Sequence, residues 1–188
     1  MKKIVLVILI TISTLLISGC SQLPKEDISI EQTSSIEENN LVGAKAAELD
    51  EDYILEEMLQ YGLEDERLAL AEYELIINTF DVSTPFTNII KAEKTHEAAI
   101  LELYESYNLI VPEFDATKYV VIPTTLQETF EIGVQAEIDN IAMYNKFLEE
   151  DIPADVRAVF ESLRDASINH LEAFERNASK GSGKNSSN

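Results

Sequence analysis

Glu93 and His96 stand three residues apart in "KAEKTHEAAI", and the chain holds only two histidines. On a helix that spacing places both side chains on one face. A carboxylate and an imidazole so placed can share a hydrogen bond or ligate a cation together. At helical spacing the surrounding residues read Phe86, Ile89, Ile90, Glu93, His96, Ile100, Leu103, Tyr107. The polar pair interrupts the apolar stripe and points to the core, while Lys91, Lys94 and Glu97 lie around it.

Three further stripes carry the same interruption. One reads Leu55, Met58, Leu59, Leu63, Glu66, Ala69, Tyr73, Ile76, Ile77, Phe80. Another reads Leu126, Phe130, Val134, Glu137, Ile141, Tyr144, Leu148, and the last Val156, Val159, Phe160, Leu163, Ser167, His170, Phe174. At 1.5 Å rise per residue the four interruptions fall at compatible heights. Glu66, Glu93, His96, Glu137 and His170 are therefore the candidate metal ligands. Three buried carboxylates without Lys or Arg on the stripes would each cost several kcal/mol unless compensated. Two divalent cations would compensate them, and a carboxylate–imidazole donor set suits iron, manganese or zinc. The competing reading is a buried Glu–His hydrogen-bond layer. Tyr73 and Tyr144, two turns beyond Glu66 and Glu137, are read first as core aromatics whose hydroxyls reach a partner.

Punctuation defines the elements that must carry these residues. Helices are expected from about Asp50 to Thr79, from Pro85 to about Tyr107, to about Glu150 after a Thr125–Glu128 capping box, and from about Pro153 to Asn177. Ser83 or Thr84 is the expected N-cap of the second. Short loops make each pair an antiparallel hairpin, and the long "NLIVPEFDATKYVVIP" connection crosses between pairs. The expected fold is all-α: a ferritin-like four-helix bundle with one long crossover between helices 2 and 3. A plain up-down-up-down bundle is the alternative, and "KYVVIP" could form a short strand.

Outside residues 50–177 the composition changes. "MKK" followed by "IVLVILITISTLLISG" reads as a secretory signal over residues 1–19. "LISGC" resembles the bacterial lipobox, which implies cleavage before Cys20 and lipidation of that residue. An uncleaved anchor is the alternative. Either way the chain is expected to be exported and held at the cell membrane or outer membrane. Residues 20–49 read as a flexible tether and 178–188 as a disordered tail. The lone cysteine excludes an internal disulfide framework. A formal net charge of −21 argues against nucleic acid as a partner.

The stretches "EDERLALAEY", "AEKTHEAAI" and "DASINHLEAF" resemble a family of uncharacterised prokaryotic ferritin-like domains of the DUF2202 type, and more distantly rubrerythrin and bacterioferritin. The resemblance covers nearly all of 50–177. It implies Glu66, Glu93, His96, Glu137 and His170 as ligands of two metal ions, iron foremost, with Glu93 bridging. Ser167 stands where rubrerythrin has a second bridging carboxylate, and Asn140 where related chains often carry an acid. The rubredoxin-like cysteine module is missing, so redox activity would need an external electron donor. The resemblance implies an envelope protein acting on iron, dioxygen or peroxide. A non-enzymatic metal-binding or structural lipoprotein and a metal-free interaction module are the alternatives, and a homodimer is open.

Overall fold

The computed structural model describes residues 41–182. Cys20, the signal segment and most of the tether lie outside the described residues. Within them the chain is all-helical, with five α-helices and no strand: α1 Gly43–Leu49, α2 Leu55–Phe80, α3 Phe86–Ser106, α4 Leu126–Glu149 and α5 Ala154–Ser182. A 3-10 turn at Ala116–Lys118 interrupts the long connection. "KYVVIP" therefore forms no strand. No helix among the described residues is long and apolar enough to cross a membrane.

Local chemistry sets several of these limits. Thr125 accepts from the Glu128 N–H at 3.2 Å, and the Glu128 carboxylate accepts from the Thr125 N–H at 3.1 Å. This is the expected capping box, and it removes two unpaired donors at the start of α4. Helix α2 opens with Glu56 and Glu57, whose charges complement the positive N-terminal end of the helix dipole, and stops at Asp81 in the left-handed region. The start of α3 departs from expectation. Pro85 itself takes the N-cap position, and neither Ser83 nor Thr84 caps with its side chain. Instead the Ser83 carbonyl accepts from both the backbone and the hydroxyl of Thr87, each at 2.7 Å.

Both flanks of the domain are corrected by the structure. The expected tether through residue 49 ends earlier, because Gly43–Leu49 is α1. Its first N–H groups are satisfied from a distance: Gly43 donates to Glu64 at 3.1 Å and Ala44 to Asp65 at 2.9 Å. Gly43 sits at φ +56, and a Cβ there would stand 2.5 Å from Asp65 Oδ1, so glycine is required on both counts. Ala44 and Ala47 bury against α2 and α4, and Lys45 pairs with Asp139 at 2.8 Å. The expected tail also begins later, since α5 continues beyond Asn177 to Ser182. Gln127 holds this extension through the Ala178 carbonyl at 2.9 Å.

Helix α2 packs on α3, α4 on α5, and the two pairs meet through α2–α4 and α3–α5. The core has two apolar layers. One contains Leu59, Leu63, Ile100, Tyr144, Phe147 and Phe160, the other Tyr73, Ile76, Phe86, Ile89 and Phe174. Gly133 lets α4 close on the second layer, since a Cβ there would lie 2.9 Å from the Phe174 ring. Every long helix passes from one layer to the other, and the residues passed on the way are Glu66, Glu93, His96, Glu137 and His170.

Candidate metal centre

All five expected ligand residues are buried, each at most 8% exposed, and the structure brings them together between the two apolar layers. They form two groups that share Glu93. Glu66, Glu93 and His96 make one, and Glu93, Glu137 and His170 the other. Within each group the ligand atoms lie within 4.8 Å of one another. His96 Nδ1 is 2.8 Å from Glu93 Oε2 and 3.2 Å from Glu66 Oε2. His170 Nδ1 is 3.0 Å from Glu93 Oε1 and 3.6 Å from Glu137 Oε1. The two oxygens of Glu93 thus face the two histidines separately, and the rings lie 6.0 Å apart between centroids.

Two tyrosine hydroxyls cross between hairpins to reach these carboxylates. The Tyr73 hydroxyl donates to Glu137 Oε1 at 3.1 Å, and the Tyr144 hydroxyl to Glu66 Oε1 at 2.9 Å. Each tyrosine therefore fixes the carboxylate on the opposite helix, not the one two turns away on its own. On Glu66 this leaves Oε2 turned to His96, whereas on Glu137 the tyrosine and His170 both face Oε1. Beside the centre, Ser167 donates to Asn140 Oδ1 at 2.8 Å, and Asn140 donates to Asp65. A cavity of about 20 Å³ is bounded there by Asp65, Asn140, Ser167 and the three glutamates. Asp65, Glu64 and Glu72 were not among the expected site residues. Asp65 and Glu64 lie one and two residues before Glu66 and fall off the apolar stripe, so periodicity carries no signal for them.

Electrostatics follow from burial without countercharge. Burial, then the neighbouring Glu93 charge, raises the Glu66 carboxyl well above its ordinary value. Burial likewise raises Glu137. Burial also works against Glu93, yet the facing His170 and His96 rings hold it down at about 2. Burial depresses the histidines, but the carboxylates outweigh it: Glu66 and Glu93 lift His96 to about 10, and Glu137 and Glu93 lift His170 to about 9. Burial pushes Asp65 up to about 6 and Glu72 to about 7. Without metal, protons on the two imidazoles supply the missing positive charge.

The donor set fits a pair of divalent ions. Three carboxylates and two imidazoles converge, one carboxylate serves both groups, and no Lys or Arg stands in either. One atom argues for more than hydrogen bonding. His170 Nδ1 is fully buried and, despite its nearness to Glu93, its angles leave it with no hydrogen bond. Such an atom costs about 1–3 kcal/mol unless something else engages it.

Residues 56–186 match the family described as "Uncharacterized protein domain (DUF2202)". The chain belongs to this family. Its match begins inside α2, so α1 precedes it. "Uncharacterized protein MJ0754" of Methanocaldococcus jannaschii is a relative of this DUF2202 chain, 29% identical over 128 residues, which are 60% of this chain and 69% of the relative. A crystal structure of hypothetical protein MJ0754 from Methanococcus jannaschii DSM 2661 shares the fold, with a TM-score of 0.61 and 24% identity. That likeness covers 86% of this chain and 87% of the other.

Proposed function

We propose that this DUF2202 protein is a ferritin-like four-helix bundle that holds two divalent metal ions, iron foremost, and that it is exported and anchored to a membrane by lipid on Cys20. The observation that carries this reading is Glu93, whose two oxygens face two separate Glu–His sets. Glu66 and His96 would hold one ion, Glu137 and His170 the other, and Glu93 both. Manganese or zinc would suit the same donors. Bound iron would supply one-electron redox chemistry toward dioxygen or peroxide.

The chain's own residues prepare the site for that role. Tyr73 and Tyr144 orient Glu137 and Glu66 by hydrogen bonds to one oxygen of each. The flanking layers of aromatic and aliphatic side chains exclude bulk water and so strengthen every charge interaction inside. Ser167 offers a hydroxyl where α3 offers the Glu93 carboxylate, so the side toward the 20 Å³ cavity is less crowded by ligands. That space is enough for one water-sized molecule. With no cysteine after Cys20, reducing electrons would come from an external donor.

Metal per folded chain after ferrous, manganous or zinc loading tests the reading. About two ions are expected for the wild type. Fewer are expected for His96→Ala or His170→Ala, and almost none for the double variant. Chelation should lower the melting temperature, because a ligand of the folded state stabilises it. No binding of any of the three metals would leave the alternative, a proton-compensated Glu–His layer in a structural protein. The short His96 contacts to Glu66 and Glu93 would serve that layer equally well.

A further inference from the structure

His170 has two faces. Nδ1 is turned inward to Glu93, and the ring also forms part of the wall of a groove between α3 and α5. The groove encloses about 400 Å³ and is lined by Thr84, Pro85, Asn88, Ile89, Ala173, Arg176 and Asn177 beside His170. A metal-ligating imidazole almost always donates its other N–H to an acceptor, which fixes the ring and raises its basicity. Here the Nε2 of His170 has no acceptor among the described residues, and the side chain is 10% exposed.

The walls of this groove are unusual for the chain. The sequence carries 35 acidic and 14 basic residues, yet the groove is lined by no acid and by one arginine. The Asn88 side-chain amide is also without a partner among the described residues, its backbone N–H donating to Pro85, whereas the Asn177 side chain donates to the Ala173 carbonyl at 2.7 Å. Side chains with donors, His170, Asn88 and Arg176, therefore line the groove, and no protein carboxylate lines it to receive them. Glu172 shows the chemistry Arg176 accepts: it pairs with the guanidinium at 3.2 Å from outside. Both side chains of that pair are 61% exposed, so it is weak and readily exchanged.

We propose that the groove between α3 and α5 binds a small oxygen anion, of carboxylate or phosphate type, which accepts from His170 Nε2–H and from Arg176. Such an anion would complete the outer partner that His170 lacks and would couple the groove to the metal centre through one imidazole. The proposal deepens the metal-centre reading and rests on it only for the need of an outer partner on a ligating ring.

The test uses the full chain in detergent, labelled with ¹⁵N at histidine, whose two residues give separately assignable ring signals. Inorganic phosphate and acetate are titrated separately into metal-free and zinc-loaded protein. A saturable shift at the His170 ring, exceeding that at His96, is expected with at least one of them. The probe that saturates identifies the type of anion. Arg176→Gln should weaken binding about tenfold or more, the usual scale of a charge-assisted hydrogen bond. Glu172→Gln should tighten binding, because it removes the competing carboxylate. Both substitutions are on exposed side chains and leave the core intact. No saturable change at His170 in metal-free protein with either probe, or equal affinity in Arg176→Gln and wild type, overturns the proposal. Anion binding to a chain that takes up none of iron, manganese or zinc would overturn the metal reading and leave the groove standing.

Discussion

Replacing Glu93 with Gln tests the centre most directly, because this one carboxylate faces both histidines. In the metal-free protein at neutral pH, His96 and His170 are both protonated, with Nδ1 atoms 2.8 and 3.0 Å from the Glu93 oxygens. Opposite unit charges at that separation attract by about 6 kcal/mol at an effective dielectric constant of about 20. Desolvation offsets much of this, and breaking a buried pair by removing one partner costs about 3–5 kcal/mol net. Glutamine keeps one acceptor but turns an N–H₂ donor toward the other imidazolium, so the cost should reach that range. For a domain of this size the melting temperature should fall by about 10–20 °C. Metal content should fall from about two ions per chain to about one or fewer, since both ligand sets lose a member. Glu97→Gln is the control. It sits next to His96 in sequence but pairs with Arg67 at 2.7 Å, so it should cost at most about 1 kcal/mol and leave metal content unchanged. Calorimetry and metal analysis on the same samples decide. A Glu93→Gln protein that keeps both ions, or melts with the wild type, refutes the reasoning.

Other outcomes follow from the same geometry. Tyr73→Phe and Tyr144→Phe should each destabilise the metal-free protein by about 1–3 kcal/mol, the cost of leaving a buried acceptor unpaired, measurable by urea unfolding. The folded-state pKa of His96 and His170 is raised from 6.5 to about 10 and about 9, so their stabilisation is full below pH 6.5 and lost as pH rises through 9–10. Asp65 and Glu72, raised from 3.8 and 4.5 to about 6 and about 7, lose stabilisation in the same direction at lower pH. Chelated protein should therefore melt progressively lower from pH 5 to pH 10, and metal affinity should rise with pH as bound protons leave the imidazoles. A flat melting profile would contradict both shifts. Cys20→Ala should block signal cleavage and lipid attachment, read from the mass of the membrane-associated protein.

The buried Glu–His cluster was legible because polar residues broke a 3.6-residue apolar period at one level in four helices. Periodicity reports which face a residue occupies, and Glu66, Glu93, His96, Glu137 and His170 occupy the core face. It does not report what lies across the gap. Tyr73 and Glu66 share a face on α2, yet the hydroxyl of Tyr73 reaches α4, because the partner depends on how two helices dock. The same limit hid α1. "GAKAAEL" is too short to hold itself as an isolated helix. It forms because carboxylates 21 residues downstream receive its first N–H groups. The Thr125–Glu128 cap was legible for the opposite reason, since both partners lie within one turn.

The crossed tyrosines have a further consequence. Tyr73 and Tyr144 lie 71 residues apart, as do Glu66 and Glu137, while His96 and His170 lie 74 apart. The centre is thus written twice along the chain, once in each helical hairpin, with a three-residue slip between. The repeat fails at one pair: counterparts Glu93 and Ser167 differ. Each half therefore serves as an internal control for the other. Matched substitutions at Glu66 and Glu137, or at Tyr73 and Tyr144, compare like positions in a single molecule. Any difference between their effects measures the asymmetry that the Glu93–Ser167 pair imposes.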